Sequence, residues 1–250
     1  MKIVMLLAAL LVAGVSLGHV ELRVAAASDL RFALDTIAKR YAAEHPGVTI
    51  TPVYEASGAL TAQIERGAPF DLFFSADTRY AQALVASGQT EGNEFAYAQG
   101  HLVLWTTNGS RLDLSRGLEV LKDPAVKKIA LANPRTAPYG RAAEAALKKA
   151  GVYDAVSAKL VYGNNVAQTA QFVQAGAADV ALIALSLAKS ERLVREGRYA
   201  ALDGSLHPPI RQAGVVVKSS RHLKAAKAFG EYMTSPVARR TLGEFGFSTP

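Results

Sequence analysis

From residue 21 to residue 245 short apolar runs alternate with amphipathic stretches of helical length, an order that few folds satisfy. Residues 21–27, the group Val48, Ile50 and Val53, and residues 71–77, 102–105, 129–132, 160–162, 180–184 and 210–217 read as strands. Helices are expected over 30–44, 60–67, 78–87, 117–122, 138–150, 166–175, 186–196, 223–234 and 237–245, with breakers at His45-Pro46-Gly47, Gly67, Gly151 and Gly176. Strands and helices alternating at this spacing build a parallel sheet covered on both faces. The alternation stops near the turn signal Thr107-Asn108-Gly109-Ser110 and then begins again. A strand near the middle and one near the end are able to cross between the two units, so the expectation is an α/β chain of two lobes around a cleft.

The first residues do not join this pattern. Met1-Lys2 is a positive start, residues 3–17 are apolar, and Ser16-Leu17-Gly18 is a small-x-small cleavage pattern. Residues 1–18 are therefore expected to be an export signal, with the mature chain periplasmic and beginning at His19. The run is short for a membrane span and carries Gly14 and Gly18. Lobe 1 is placed at 19–100 plus 213–250, and lobe 2 at 101–212. The sequence has no Cys, which removes disulfides, thiol catalysis, thiolate metal sites and a lipid-anchored N-terminus. The formal net charge of +7 is spread over scattered Lys and Arg, as on solvated helix faces, and no basic stripe with aromatics suggests nucleic acid.

In open parallel sheets ligands sit at the carboxyl ends of strands. Strand-to-helix turns follow Ala27, Ala56, Asn133 and Tyr162, and each offers backbone N–H donors and the positive end of a helix dipole. Ser28 and Ser57 each end a strand and open a helix, as N-caps whose hydroxyls lie beside unpaired N–H groups. Facing one cleft, Ser28 and Ser57 with the backbone N–H groups of Tyr139 and Val166 would surround an oxyanion with neutral donors. Such a shell matches a fully deprotonated tetrahedral oxyanion, whereas a protonated phosphate also needs an acceptor. Asp29 and Asp77 are candidate acceptors, and each is equally at home capping a helix or pairing with a cation.

Other chemistries find less support. The five histidines show no metal-ligand spacing. Beyond the expected export signal at 1–18 there is no G-x-S-x-G elbow, and the sequence has no Walker A motif and no dinucleotide fingerprint. A hydrolase using Ser28 or Ser75 with a histidine would lack any motif that places the base. Tyr54, Tyr139 and Tyr162 would suit a ferric ion, but tyrosines near strand ends are more often packing.

The residues also carry a family resemblance. AAASDL at 25–30, YEASGALTAQIERGAPFDLFFSAD at 54–77, NPRTAPYG at 133–140, NNVAQTAQFVQAGAADVAL at 164–182 and FGF at 245–247 resemble the molybdate-binding periplasmic proteins of ABC importers. The resemblance spans almost the whole chain after residue 18. It implies a two-lobed type II periplasmic binding protein fold with the ligand cleft between the lobes. It further implies a non-enzymatic, cofactor-free monomer that captures molybdate or tungstate and presents it to a membrane permease. The family's oxyanion-binding serines fall on Ser28 and Ser57, and its backbone donors on Tyr139 and Val166. The anion is held through its oxygens, with no direct metal ligand. Some members add a tyrosine hydroxyl where this sequence has Ala184. A receptor for sulfate or phosphate is the alternative within the same class.

Overall fold

The computed structural model describes residues 19–249, and the export signal expected over 1–18 lies outside them. Strand β1 (Val20–Ala27) runs through a 3-10 turn, Ser28–Leu30, into helix α1 (Arg31–Glu44). There follow β2 (Val48–Glu55), α2 (Ser57–Glu65), β3 (Leu72–Ser75), α3 (Thr78–Ala86) and β4 (Phe95–Gly100). The chain then crosses to β5 (Leu102–Thr107), a 3-10 segment over Leu114–Lys122, β6 (Ile129–Ala132), α4 (Pro138–Lys149) and the single turn α5 (Tyr153–Val156). After β7 (Leu160–Gly163), α6 (Val166–Gln174), β8 (Val180–Ala184), α7 (Leu185–Ala188), α8 (Glu191–Glu196) and β9 (Gly197–Ala201) it returns through β10 (Ile210–Val216) to α9 (Leu223–Met233) and α10 (Pro236–Glu244).

These strands form two sheets of five, in the orders β2-β1-β3-β10-β4 and β7-β6-β8-β5-β9. The sheets are mixed rather than parallel throughout. β1 pairs in parallel with β2 and β3, as β6 does with β7 and β8, but β10 is antiparallel to β3 and β4, and β5 to β8 and β9. The exceptions follow from topology, because a strand arriving from the other lobe enters its sheet from the end opposite to strands fed by a helix. The return strand joins the first sheet from Ile210, ahead of the boundary expected at 213.

Burial follows the strand period of two. Val24, Ala26, Leu72 and Phe74 turn to one face of the first sheet and pack with Leu34, Ile37, Phe229 and Leu242 from α1, α9 and α10. Ala25 and Phe73 turn to the other face and meet Leu60 and Ile64 of α2 and Ala81 and Leu84 of α3. Trp105, fully buried, anchors the core of the second lobe, whose cluster reaches Ala27, Ala56 and Ala76 at the strand ends of the first. The lobes thus share apolar contact where the four strand-to-helix turns converge.

Some elements differ from expectation. β4 and β9 are absent from the expected strands; each ends a sheet, and the burial of β9 alternates between intermediate and exposed after Gly197, as suits an edge strand. The segment expected as one helix at 186–196 is two, because Ser190 stops α7 and caps α8 by accepting from Leu193 N–H. The helix expected at 117–122 is a longer 3-10 segment kinked at Gly117, whose φ of 57° suits glycine. No helix among the described residues is long and apolar enough to cross a membrane.

Candidate functional site

Ser28 and Ser57 sit one position further into their helices than the caps expected. The N-cap residues are Ala27 and Ala56, and neither helix start has a side-chain cap. The serine hydroxyls are therefore released from capping, and both side chains are buried. Ser57 Oγ accepts from Ala76 N–H at 3.0 Å, and Ser28 Oγ accepts from Ala167 N–H of the other lobe at 3.4 Å. With the oxygens accepting from backbone, the O–H protons are left to donate into the space between the lobes.

Two more helices start at that space. Pro138 occupies the first position of α4 and Tyr139 the second, while Val166 opens α6 behind Asn165, whose side chain caps Ala167 and Gln168 N–H. The first N–H groups of a helix have no acceptor within it, so those of Tyr139 and Val166 face outward with the dipole behind them. Ser28, Ser57, Tyr139, Val166 and Asp29 all line one small cavity, walled further by Glu55, Pro138 and alanines. No Lys or Arg lines it. A site of N–H and O–H donors without a cation binds anions through dipoles and selects by geometry.

Direct bonds span the lobes around this cavity. Gly58 N–H donates to the Thr136 carbonyl at 3.0 Å, Asn165 Nδ2 to Glu55 Oε1 at 2.8 Å, and Ser186 Oγ to the Asp29 carbonyl at 2.7 Å. Asp77 is placed otherwise than as an acceptor in the cavity. It caps α3 through Arg79 N–H and pairs across the lobes with Arg141 Nη2 at 2.7 Å, beside an open groove lined by Arg79, Arg141 and 208–211. Burial works to raise its pKa, but hydrogen bonds from Arg79 and Arg141 outweigh that and hold the carboxyl below its ordinary value. Arg141 also donates to the Tyr80 hydroxyl at 3.0 Å, so a charged clasp closes one rim.

Asp29 lies at the back of the cavity and is fully buried. Gln212 Nε2 donates to its Oδ2 at 2.6 Å, and Gln212 is in turn fixed by the Tyr97 hydroxyl, which donates to Oε1 at 2.7 Å. Burial raises the carboxyl to about 6, against the opposing pull of Gln212, Tyr139 and the backbone N–H groups of Asp29 and Leu30. The Tyr139 hydroxyl comes in from the second lobe beside Asp29 and Gln212, in geometry short of a full hydrogen bond, so that it and Asp29 Oδ1 are both buried without a partner. Burial, then the nearby Asp29, pushes the Tyr139 phenol well above its ordinary pKa.

The tyrosine hydroxyl presses on the lobe crossing. A Cβ at Gly100 would stand 2.0 Å from Tyr139 OH and 2.9 Å from Gln212 Nε2. Gly100→Ala is expected to cost about 1–3 kcal/mol of stability and to weaken anion binding by moving Tyr139. Tyr139→Phe, by removing the nearest atom, should restore part of both; thermal melts and titrations of the single and double variants check this, and a wild-type Gly100→Ala would refute the contact.

Gln212, Tyr97, Glu55 and Gly100 escaped sequence reading, since only the fold brings them to Ser28. Ala184 ends β8 fully buried, and no tyrosine stands at that position. Tyr54, Tyr139 and Tyr162 do not converge, because Tyr54 donates to Asp35 Oδ1 and Tyr162 is half exposed. Among the described residues neither Ser28 nor Ser75 has a histidine as hydrogen-bond partner; Ser75 Oγ donates to the Asp77 carbonyl.

A helix-start cradle between two mixed sheets is a ligand cleft, and comparison with known proteins identifies which kind. The family described as bacterial extracellular solute-binding protein matches residues 22–248. The chain belongs to that family. Among the relatives of this solute-binding protein is the molybdate-binding protein ModA of Azotobacter vinelandii, 35% identical over 91% of this chain and 89% of the relative. A solved periplasmic molybdate-binding protein of Azotobacter vinelandii superposes with a TM-score of 0.85 at 31% identity, covering 92% of this chain and 99% of that one. The sulfate-binding protein SubI of Mycobacterium tuberculosis superposes with a TM-score of 0.74 at 16% identity, over 92% of this chain and 87% of that one, which is a likeness of fold alone.

Proposed function

We propose that this solute-binding protein captures molybdate or tungstate in the periplasm and delivers it to an ABC importer. The observation that carries the reading is the convergence of Ser28, Ser57, Tyr139 and Val166 on one cavity without a cation. Two hydroxyls and two helix-start N–H groups supply donors only, and a dianionic tetrahedral oxyanion supplies acceptors only. The shell grips the anion by its oxygens and offers the metal atom no ligand. The likeness to the molybdate-binding relatives, at above 30% identity, supports this ligand over sulfate, whose binding protein shares the fold at 16%.

No chemistry is performed on the ligand. A monomer alternates between open and closed lobes, and the anion favours the closed form because it contacts donors from both. The closed pair of lobes, with residues 1–18 removed as an export signal, is the species that a membrane permease reads. The basic balance of the chain assists encounter with an anion.

Isothermal titration of the purified protein with molybdate, tungstate, sulfate and phosphate tests the reading. One-to-one binding of the first two alone is the expected result; tight sulfate or phosphate binding instead would reassign the ligand. Ser28→Ala and Ser57→Ala each delete a buried donor and should each weaken binding by about 1–3 kcal/mol. Unchanged affinity in both variants would remove them from the shell.

A further inference from the structure

One feature of the cavity does not fit a plain anion cradle: the carboxyl at its back. Asp29 is fully buried, lines the same cavity as Ser28 and Ser57, and has one oxygen without a partner. Its other oxygen accepts from Gln212, and Gln212 is held by Tyr97, whose hydroxyl also donates to the Ser75 carbonyl at 3.2 Å. Its main-chain carbonyl is held by Ser186 from the other lobe. The side chain is thus fixed from β10, and the backbone from α7, so that the carboxyl is not free to swing away from an arriving anion.

The groups that face Asp29 do not neutralise it. Gln212 on β10, Tyr97 on β4 and Tyr139 on α4 are neutral, both phenols lying well above their ordinary pKa through burial. The other carboxylate lining the cavity, Glu55 on β2, is engaged by Ala56 N–H and Asn165 Nδ2 and adds negative charge. An oxyanion in the cavity therefore meets a like charge where little water screens it, and like charges in a dry site cannot both persist. The charge that can be discharged without moving an atom of the wall is that of Asp29.

Resting on the ligand reading above, we propose that the anion complex holds one extra proton at the Asp29 carboxyl, so that capture of a dianion takes up a proton from solvent. The balance is simple: dianion, proton and Asp29 carboxylate combine, and no bond other than O–H is formed. Protonated at Oδ1, the oxygen without a partner, Asp29 no longer repels the anion. It is a positioning and selecting residue rather than a further oxyanion ligand of the serine kind. The free carboxyl already sits at about 6 through burial, and a neighbouring anion moves it further up.

The test is titration of the purified protein with molybdate and tungstate from pH 5 to 8.5, in paired buffers of different ionisation enthalpy that count protons. Wild type should take up close to one proton per anion above pH 7, and its Kd should rise about tenfold per pH unit once the free carboxyl is ionised above about 6. Asp29→Asn should take up none and show a Kd flat with pH, gaining on wild type as pH rises. The anion's own protonation is common to both proteins and cancels in the comparison. Zero proton uptake by wild type between pH 6.5 and 8.5 overturns the proposal, and it does so whether or not the variant folds. Absence of binding at every pH fails the ligand reading instead, whereas binding with matching pH profiles in both proteins fails only this inference.

Discussion

Gly140→Ala is expected to destabilise the protein by about 3 kcal/mol or more and to weaken anion binding by more than tenfold. Propensity alone predicts the opposite, since alanine in a helix interior is favoured over glycine by about 1 kcal/mol. Position decides the sign. A Cβ at Gly140 would lie 2.1 Å from the Ala132 carbonyl oxygen and 2.7 Å from its carbon, both main-chain atoms of β6. No rotamer relieves a contact with backbone, so α4 must lift from the strand end, carrying with it Tyr139, which lines the cavity proposed to hold the anion. Gly243, in α10, has nothing within 4 Å of the corresponding position, and Gly243→Ala should be neutral or stabilising by up to about 1 kcal/mol. Denaturant melts and titrations of the two variants make the comparison. Equal behaviour of the two would mean that α4 does not depend on close approach to β6.

The same contrast explains what the sequence disclosed. Strands such as Ile129–Ala132 and Val180–Ala184 are buried on both faces and are read as continuous apolar runs. β4 and β9 each lie at one edge of a sheet, and intermediate or exposed positions interrupt their burial, so the short apolar stretches 95–98 and 199–201 do not stand out from loop. The four turns were legible because strand, small residue and helix start are local. That the two serine hydroxyls are free of capping was not, because a serine at the cap and a serine one residue later look alike in sequence but differ in what their Oγ accepts. Asp77 showed its capping role through the motif but not its bond to Arg141, which is 64 residues away in sequence. Asp29 is the extreme instance: its partner Gln212 is 183 residues distant, on the strand that returns from the second lobe. Nothing around Ala27-Ser28-Asp29 announces that this carboxyl will be fixed, buried and half unpartnered.

That burial has a stability consequence separable from ligand binding. Asp29→Asn is expected to make the ligand-free protein more stable than wild type by about 3 kcal/mol at pH 8. The folded carboxyl titrates at about 6, above the ordinary 3.8 of the unfolded chain, so between these values the folded state binds more protons than the unfolded one. Wild type is therefore favoured at low pH and loses this contribution as pH rises through about 6, at up to about 1.4 kcal/mol per unit. Asparagine has the same shape as the protonated acid and does not titrate, so the difference between the proteins should be full above pH 7 and vanish near pH 4. Every other titrating group is common to both chains, and denaturant melts from pH 4 to 8 read the difference directly. Parallel stability profiles would show that Asp29 is solvated or paired in a way that the Gln212 and Tyr139 contacts do not provide. A native carboxylate that costs stability at neutral pH, where a neutral isostere would fit, is the kind of local conflict that folds retain at functional positions. Here it stands with Tyr139 of the opposite lobe in the lining of the cavity that holds Ser28 and Ser57, the position at which proton uptake with the anion is proposed.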